Sequence, residues 1–377
     1  VNDLILTGED ATIISTSRLT KAFGNLVAVN DLNLRVMRGD VFGFLGPNGS
    51  GKTTTIRMLL GLIRPTAGRA FIFGMDNQYQ LPRILRRIGA VVETPIFYPY
   101  LSGRDNLRIL AAASDMARHP LNDRRIEEVL ELVELRAQAG LAYQKYSLGM
   151  KQRLGIAAAL LTDPELILLD EPTNGLDPVG MVEIRQLIVR LAQQGKTIFL
   201  SSHILHEVQQ VCNRVAILHR GNLIKQGDVA ALLRQSEHIL IRMNSVAEAQ
   251  AALQVLQEAR ERGATWIKAV VAATGAGPSE QPPAPGKASE ARAREEAASM
   301  LRVEAPAERS AEINALLARR DLFAAEIHPH EGSLEEAFLE LTAAAQFHGA
   351  SASALGGLPA PVPPGSGRTM PGEGKRQ

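Results

Sequence analysis

The sequence predicts an α/β fold: a parallel sheet covered on both faces, built around a phosphate-binding loop and carrying a helical insertion, followed by a small ferredoxin-like α+β domain. Three observations predict it. Gly46-Pro47-Asn48-Gly49-Ser50-Gly51-Lys52-Thr53 matches the pattern G-x-x-x-x-G-K-[ST] without a mismatch. Strand-like runs that are apolar on both faces recur at Gly89-Ala90-Val91-Val92, Leu166-Ile167-Leu168-Leu169, Thr197-Ile198-Phe199-Leu200 and Val215-Ala216-Ile217-Leu218, with helical stretches between them. After Gln235 the order changes to β-α-β-β-α-β plus a helix.

Residues 1–12 read as an N-terminal extension and 13–235 as the main domain. Val41-Phe42-Gly43-Phe44-Leu45 is a buried strand leading into the loop, and Thr54 to Leu60 is the helix after it. From about 102 to 159 the pattern is helical only. Ser102-Gly103-Arg104-Asp105 resembles a capping box, and Ile126, Val129, Leu130 and Val133 form a helical stripe within Arg125–Leu135. Residues 236–345 form the small domain. Its expected strands are His238–Met243, Trp266–Ala272, Met300–Val303 and Leu322–Ile327, and its helices Val246–Arg262, Ala307–Arg319 and Ser333–Thr342. A Pro-, Gly- and Ala-rich excursion over about 275–299 interrupts the hairpin between the second and third strands, and 346–377 reads as a disordered tail.

Composition narrows the function. A chain of 377 residues holds two domains, and its formal charge of +1 gives no broad basic field for nucleic acid. Cys212 is the single cysteine, which excludes an intrachain disulfide and reads as a small buried hydrophobe. No apolar run approaches the ~18 residues of a membrane span, and Val1-Asn2-Asp3-Leu4 does not open like a signal peptide. The expectation is a soluble cytoplasmic chain.

The loop predicts binding of a nucleoside triphosphate. Its glycines let consecutive N–H groups approach a polyphosphate at a helix N-terminus, Lys52 reaches the β- and γ-phosphates, and the Thr53 hydroxyl is a Mg²⁺ ligand. Asp170 and Glu171 follow four apolar residues at the carboxyl end of a buried strand, where open α/β sheets bind ligands. Asp170 would hold Mg²⁺ mostly through water, and Glu171 would orient the attacking water.

Tyr146-Ser147-Leu148-Gly149-Met150-Lys151-Gln152-Arg153 resembles the signature motif of ATP-binding cassette (ABC) proteins. Thr173-Asn174-Gly175-Leu176-Asp177-Pro178 resembles their D-loop. His203, after Leu200-Ser201-Ser202, resembles their switch histidine, and Phe23 sits where they carry an adenine-stacking aromatic. The resemblance covers about Ile13 to Leu233 and implies a P-loop ABC ATPase core that binds ATP and Mg²⁺. It implies ATP contacts from Phe23 and from Gly46 through Thr54, including Thr54 itself. Catalysis would use Glu171, His203 and Lys52, with the metal held by Thr53, Asp170 and Glu93. Ser147 and Gly149 would serve the ATP of a partner subunit, and Asp177 would act from the D-loop. Ser147 can cap the helix that begins near Met150, making a second phosphate-binding device in a chain with one phosphate loop. The partners implied are an integral membrane permease and a second cassette, either a copy of the chain in an ATP-dependent homodimer or a paralogue. No nucleic acid is expected. The place implied is the cytoplasmic face of the cell membrane.

The sequence departs from the common family pattern in two places. Leu-Ser-Gly-Gly-Gln is replaced by Tyr146-Ser147-Leu148-Gly149-Met150, which keeps the contacting Ser and Gly. Glu93 stands where most members have a glutamine. A second carboxylate ~5 Å from the γ-phosphate costs roughly 3 kcal/mol at an effective dielectric of about 20, opposed by attraction to Mg²⁺. The following Thr94-Pro95-Ile96-Phe97-Tyr98-Pro99-Tyr100-Leu101 is either folded onto its own core or a docking surface. Glu93, this aromatic run, the signature, and Gly332-Ser333-Leu334-Glu335-Glu336-Ala337-Phe338 near the end resemble the bacitracin- and drug-export branch. The alternatives are an importer ATPase and a non-transport ABC ATPase acting on a soluble or nucleic-acid partner. His328-Pro329-His330-Glu331 reads as a solvated loop rather than a metal site.

Overall fold

The computed structural model describes residues 11–93, 97–113, 122–272, 299–330, 332–339 and 341–342. The chain begins with three strands, β1 (Thr12–Phe23), β2 (Leu26–Leu32) and β3 (Arg35–Met37), the latter two pairing antiparallel with β1. β4 (Val41–Leu45) enters a second sheet and feeds the phosphate loop and α1 (Lys52–Leu59). β5 (Ala67–Ile72) and β6 (Met75–Asp76) return to the first sheet, and α2 (Leu81–Leu85) leads to β7 (Ile88–Val91) in the second. The helical insertion consists of α3 (Gly103–Ala113), α4 (Asn122–Leu132) and α5 (Leu148–Leu160). β8 (Leu166–Asp170), α6 (Pro178–Gln193), β9 (Thr197–Ser202), α7 (Leu205–Val211), β10 (Arg214–His219), β11 (Asn222–Asp228) and α8 (Val229–Ser236) complete this part.

The second sheet has the order β11-β10-β4-β9-β8-β7 and is parallel except at its edge strand β11. Its strands are apolar throughout because successive side chains enter two different cores. Leu45, Ile167, Leu169, Ile198 and Ile217 face the core shared with α4, α5 and α6. Phe42, Phe44, Leu168, Phe199 and Leu218 face the core shared with α1 and the first sheet. Phe42 and Phe199 stack there at 5.7 Å. All five strand runs expected from the sequence lie in this sheet.

The antiparallel first sheet differs from the expectation of alternating strands and helices from Ile13 onward. Register shifts in β1 between Ser17 and Thr20 and around Lys21 break the period of two that would have marked it. Thr12, assigned to an extension by its sequence, is the first residue of β1. Residues 1–10, 273–298 and 343–377 lie outside the described residues, and with them the expected tail over 346–377 and all but Ser299 of the expected excursion over about 275–299.

The small domain contains β12 (His238–Arg242), α9 (Val246–Glu261), β13 (Ala269–Ala272), β14 (Met300–Glu304), α10 (Ser310–Ala318) and β15 (Glu326–His330). Its antiparallel order β13-β14-β12-β15 is the ferredoxin-like one. Three boundaries are corrected. The second strand starts at Ala269 rather than Trp266, and a 3₁₀ turn at Ala307–Arg309 precedes α10. The last strand is Glu326–His330 rather than Leu322–Ile327, so His328 and His330 lie on a strand and not on a loop. Pro329 disguised that strand; it is tolerated because β15 is an edge. Helical residues 334–339 then return to the first domain, where Leu334, Phe338 and Leu341 pack on its core.

At the amino ends of the parallel strands, Glu165 accepts hydrogen bonds from Arg87 Nε and Nη2 at 2.6 and 2.9 Å and from Arg38 Nη1 at 2.8 Å. The forked bond from Arg87 is the main reason its carboxyl is lowered from 4.5 to about 2. Stability from this group is therefore complete above pH 4.5 and lost as pH falls toward about 2. Glu165→Gln should melt below wild type at pH 7, by about 1 kcal/mol or less because the pair is partly exposed. In melting curves taken at stepwise lower pH, the gap should close below pH 4.5.

Candidate functional site

The phosphate loop joins the carboxyl end of β4 to α1. Gly49 and Gly51 have φ of 80° and 104°, and a Cβ on Gly51 would lie 2.5 Å from Ala28 O. Only glycine meets both demands. No side chain caps α1, so the first N–H groups of that helix are left for an anion. Ser50 is 2% exposed and its Oγ has no hydrogen-bond partner among the described residues. An orphaned hydroxyl beside an uncapped helix start is what a polyphosphate cradle requires.

Lys52 is 5% exposed. Its Nζ donates to Gly46 O at 2.7 Å and Pro47 O at 3.3 Å, and lies 3.1 Å from Glu171 Oε1. The other oxygen of Glu171 is 2.8 Å from His203 Nδ1. Lys52, Glu171 and His203, distant in sequence, thus form one continuous chain of contacts. Thr53 and Thr54 follow Lys52 on α1 and are half-buried.

Asp170 ends β8 with its carboxylate buried, and Ser201 Oγ donates to its Oδ1 at 2.6 Å. The same Ser201 oxygen accepts from the Glu171 N–H at 3.0 Å. Glu171 has φ of 49°, a left-handed conformation that turns its side chain out of the strand toward Lys52 and His203. Sequence reading missed Ser201. The available signal was register: Asp170 and Ser201 are paired residues of the adjacent strands β8 and β9.

Ser147 caps α5, its Oγ accepting from Met150 N at 3.2 Å. The hydroxyl proton is left to donate, and Leu148 beside it is exposed. Asp177 caps α6 through Gly180 N at 3.0 Å. A Cβ on Gly149 would stand 4.0 Å from Gly180 Cα, so these two helix starts adjoin. Tyr146, just before Ser147, is buried; its hydroxyl donates to Gln138 O at 2.9 Å, and burial raises its pKa.

Phe23 ends β1 with half its surface exposed and Lys21 Nζ 4.9 Å from its ring centroid. Glu93 is not brought to the Lys52 cluster. At φ of 63° its carboxylate pairs with Arg57 of α1, a partner that the sequence did not reveal. Of the aromatic run that follows, Thr94–Ile96 lie outside the described residues. Phe97 turns inward to Tyr143, with ring centroids 5.1 Å apart, whereas Tyr98 and Tyr100 are 60% and 81% exposed. The open choice between core and surface is divided between these residues. Among the described residues no three His, Cys, Asp or Glu side chains cluster as a metal cage, and His330 pairs with Glu336 at 2.8 Å.

The ABC transporter family profile matches residues 29–174. A bacitracin transport ATP-binding protein of Bacillus licheniformis is 53% identical over 217 residues, covering 57% of this chain and 70% of that protein. An ABC transporter ATP-binding protein of Bacillus subtilis is 33% identical over 338 residues, covering 89% of this chain and 97% of its own. Among solved structures, a dimeric ATP-binding cassette in a post-hydrolysis state bound to ADP and Pi superposes with a TM-score of 0.52 at 27% identity. That match covers 58% of this chain and 99% of the cassette.

Ser201→Ala should leave a buried carboxylate oxygen and a backbone N–H without their partner. The expected cost is about 1–3 kcal/mol in urea unfolding of the purified protein. A midpoint unchanged from wild type would show that the bridge does not hold these carboxylates.

Proposed function

The chain belongs to the ABC transporter ATP-binding subunits, in their bacitracin- and drug-export branch, and on that premise we propose that it powers export of a drug or antibiotic by closing as an ATP-bound dimer beneath a separate membrane permease. It is an ATP-hydrolysing subunit of a transporter. Among the described residues no helix is long and apolar enough to cross a membrane.

The observation that carries this reading is the chain of contacts from Lys52 through Glu171 to His203. An incoming γ-phosphate gives Lys52 a stronger oxygen partner than Glu171. Glu171 is then released toward the water that attacks phosphorus, while His203 remains beside it and donates to the phosphate. The loop amides and the uncapped start of α1 hold the remaining phosphate oxygens. Catalysis of this kind is positioning and charge stabilisation, with little covalent chemistry from the protein. Thr53 and Asp170 would hold Mg²⁺, which neutralises developing charge on the phosphates; two such ligands fit an ion that completes its shell with phosphate oxygens and water. Glu93, on Arg57 in this structure, would join them by exchanging partners.

One chain carries one phosphate loop and one capped signature helix. Two copies packed head to tail would bring Ser147 and Gly149 of each to the ATP of the other, giving two equivalent sites. ATP then joins the halves, and loss of the γ-phosphate separates them. The exposed Tyr98 and Tyr100, a few residues after Glu93 in sequence, give the permease a surface that follows the nucleotide state.

Glu171→Gln should bind ATP with near wild-type affinity while turnover falls by about 10²–10⁴-fold. Purified from native membranes with ATP and Mg²⁺, this variant should carry a stoichiometric multi-span membrane protein. Near-normal hydrolysis would remove Glu171 as the base, and recovery of soluble or ribosomal partners alone would contradict the transporter reading.

A further inference from the structure

α7 begins two residues after His203 and has little of its own to hold its start. It spans seven residues, and Ile204 at its N-cap supplies no side-chain hydrogen bond. Arg185 of α6 fixes that end from outside. Its Nη2 and Nε donate to Glu207 Oε1 and Oε2 at 2.7 and 3.3 Å. A two-point fork sets direction as well as distance, and the carboxylate also faces the positive end of the α7 dipole. Glu207 is 9% exposed, in a crevice lined by Pro172 and Thr173, which follow Glu171, and by Ser202, which precedes His203. α6 itself starts on the Asp177 cap. One ion pair therefore ties the helix that leaves the D-loop to the helix that follows the switch histidine.

We propose that Arg185 and Glu207 are positioning residues for ATP hydrolysis: their pair fixes α7 against α6 and so sets where His203 meets Glu171. The inference rests on the roles proposed above for Glu171 and His203. It predicts that the pair acts on turnover rather than on nucleotide binding, because it touches the strand ends that carry the reacting groups and not the phosphate loop.

The test is steady-state ATPase kinetics of the purified full chain, with thermal melts alongside. Glu207→Gln keeps the shape and loses the charge; it should lower kcat about tenfold and leave KM for ATP within about twofold. The exchanged pair, Arg185→Glu with Glu207→Arg, should bring kcat back to within about threefold of wild type. If Glu207→Gln does not fold, Arg185→Lys, which keeps the charge and loses the fork, takes its place with the same expectations. A kcat within about twofold of wild type in the single variant, or a loss that a folded exchanged pair does not recover, overturns the proposal. Glu171→Gln measured in parallel separates the two readings. Turnover persisting there would remove the site assignment itself, whereas an inactive Glu171→Gln beside a fully active Glu207→Gln would remove only this one.

Discussion

One buried ammonium group constrains this structure more than any other. Lys52 is almost wholly enclosed, and an unpaired charge in that position would cost several kcal/mol. The fold therefore keeps oxygen around it at all times: two loop carbonyls and one oxygen of Glu171. Glycine is required in the loop because the backbone has to wrap this closely, and α1 starts without a side-chain cap, its first amides left without a side-chain partner. The partner that a phosphate can displace is Glu171, since the carbonyls are fixed by the backbone and the carboxylate is not. Ground-state satisfaction of Lys52 and release of the residue proposed as base are consequences of the same contact.

What the sequence disclosed follows from the range of each interaction. The loop, the carboxylate pair after β8 and the cap at Ser147 are local patterns whose spacing states their chemistry, and the apolar strands announce a doubly covered sheet. Ser201 stayed hidden because its role depends on which residue of β9 lies beside Asp170. Arg57 stayed hidden for a similar reason: its link to Glu93 spans two elements, α1 and the turn after β7. The first sheet was lost to irregular register in β1, and β15 to a proline that only an edge strand accepts. Local chemistry was readable; pairings set by tertiary register were not.

The small domain is joined to the first by more than the chain. After β15 the chain returns over residues 334–339, Leu334 N donates to Gln209 Oε1 at 3.0 Å, and Phe338 packs into the first domain's core. Gln209 lies on α7, the helix held at its other end by Arg185. The element following His203 is thus gripped by the D-loop helix on one side and by the C-terminal segment on the other. Within the small domain, His238 of β12 lies beside His330 of the neighbouring strand β15, with ring centroids 4.6 Å apart and planes tilted by 36°.

The central claim is that ATP completes its site only when a second chain supplies Ser147 and Gly149. Light scattering on Glu171→Gln, with and without ATP and Mg²⁺, tests it most directly. The account predicts a monomer without nucleotide and a doubled mass with it, reversed when Ser147 is changed to a bulky residue. A mass that stays monomeric while ATP is bound stoichiometrically would contradict it.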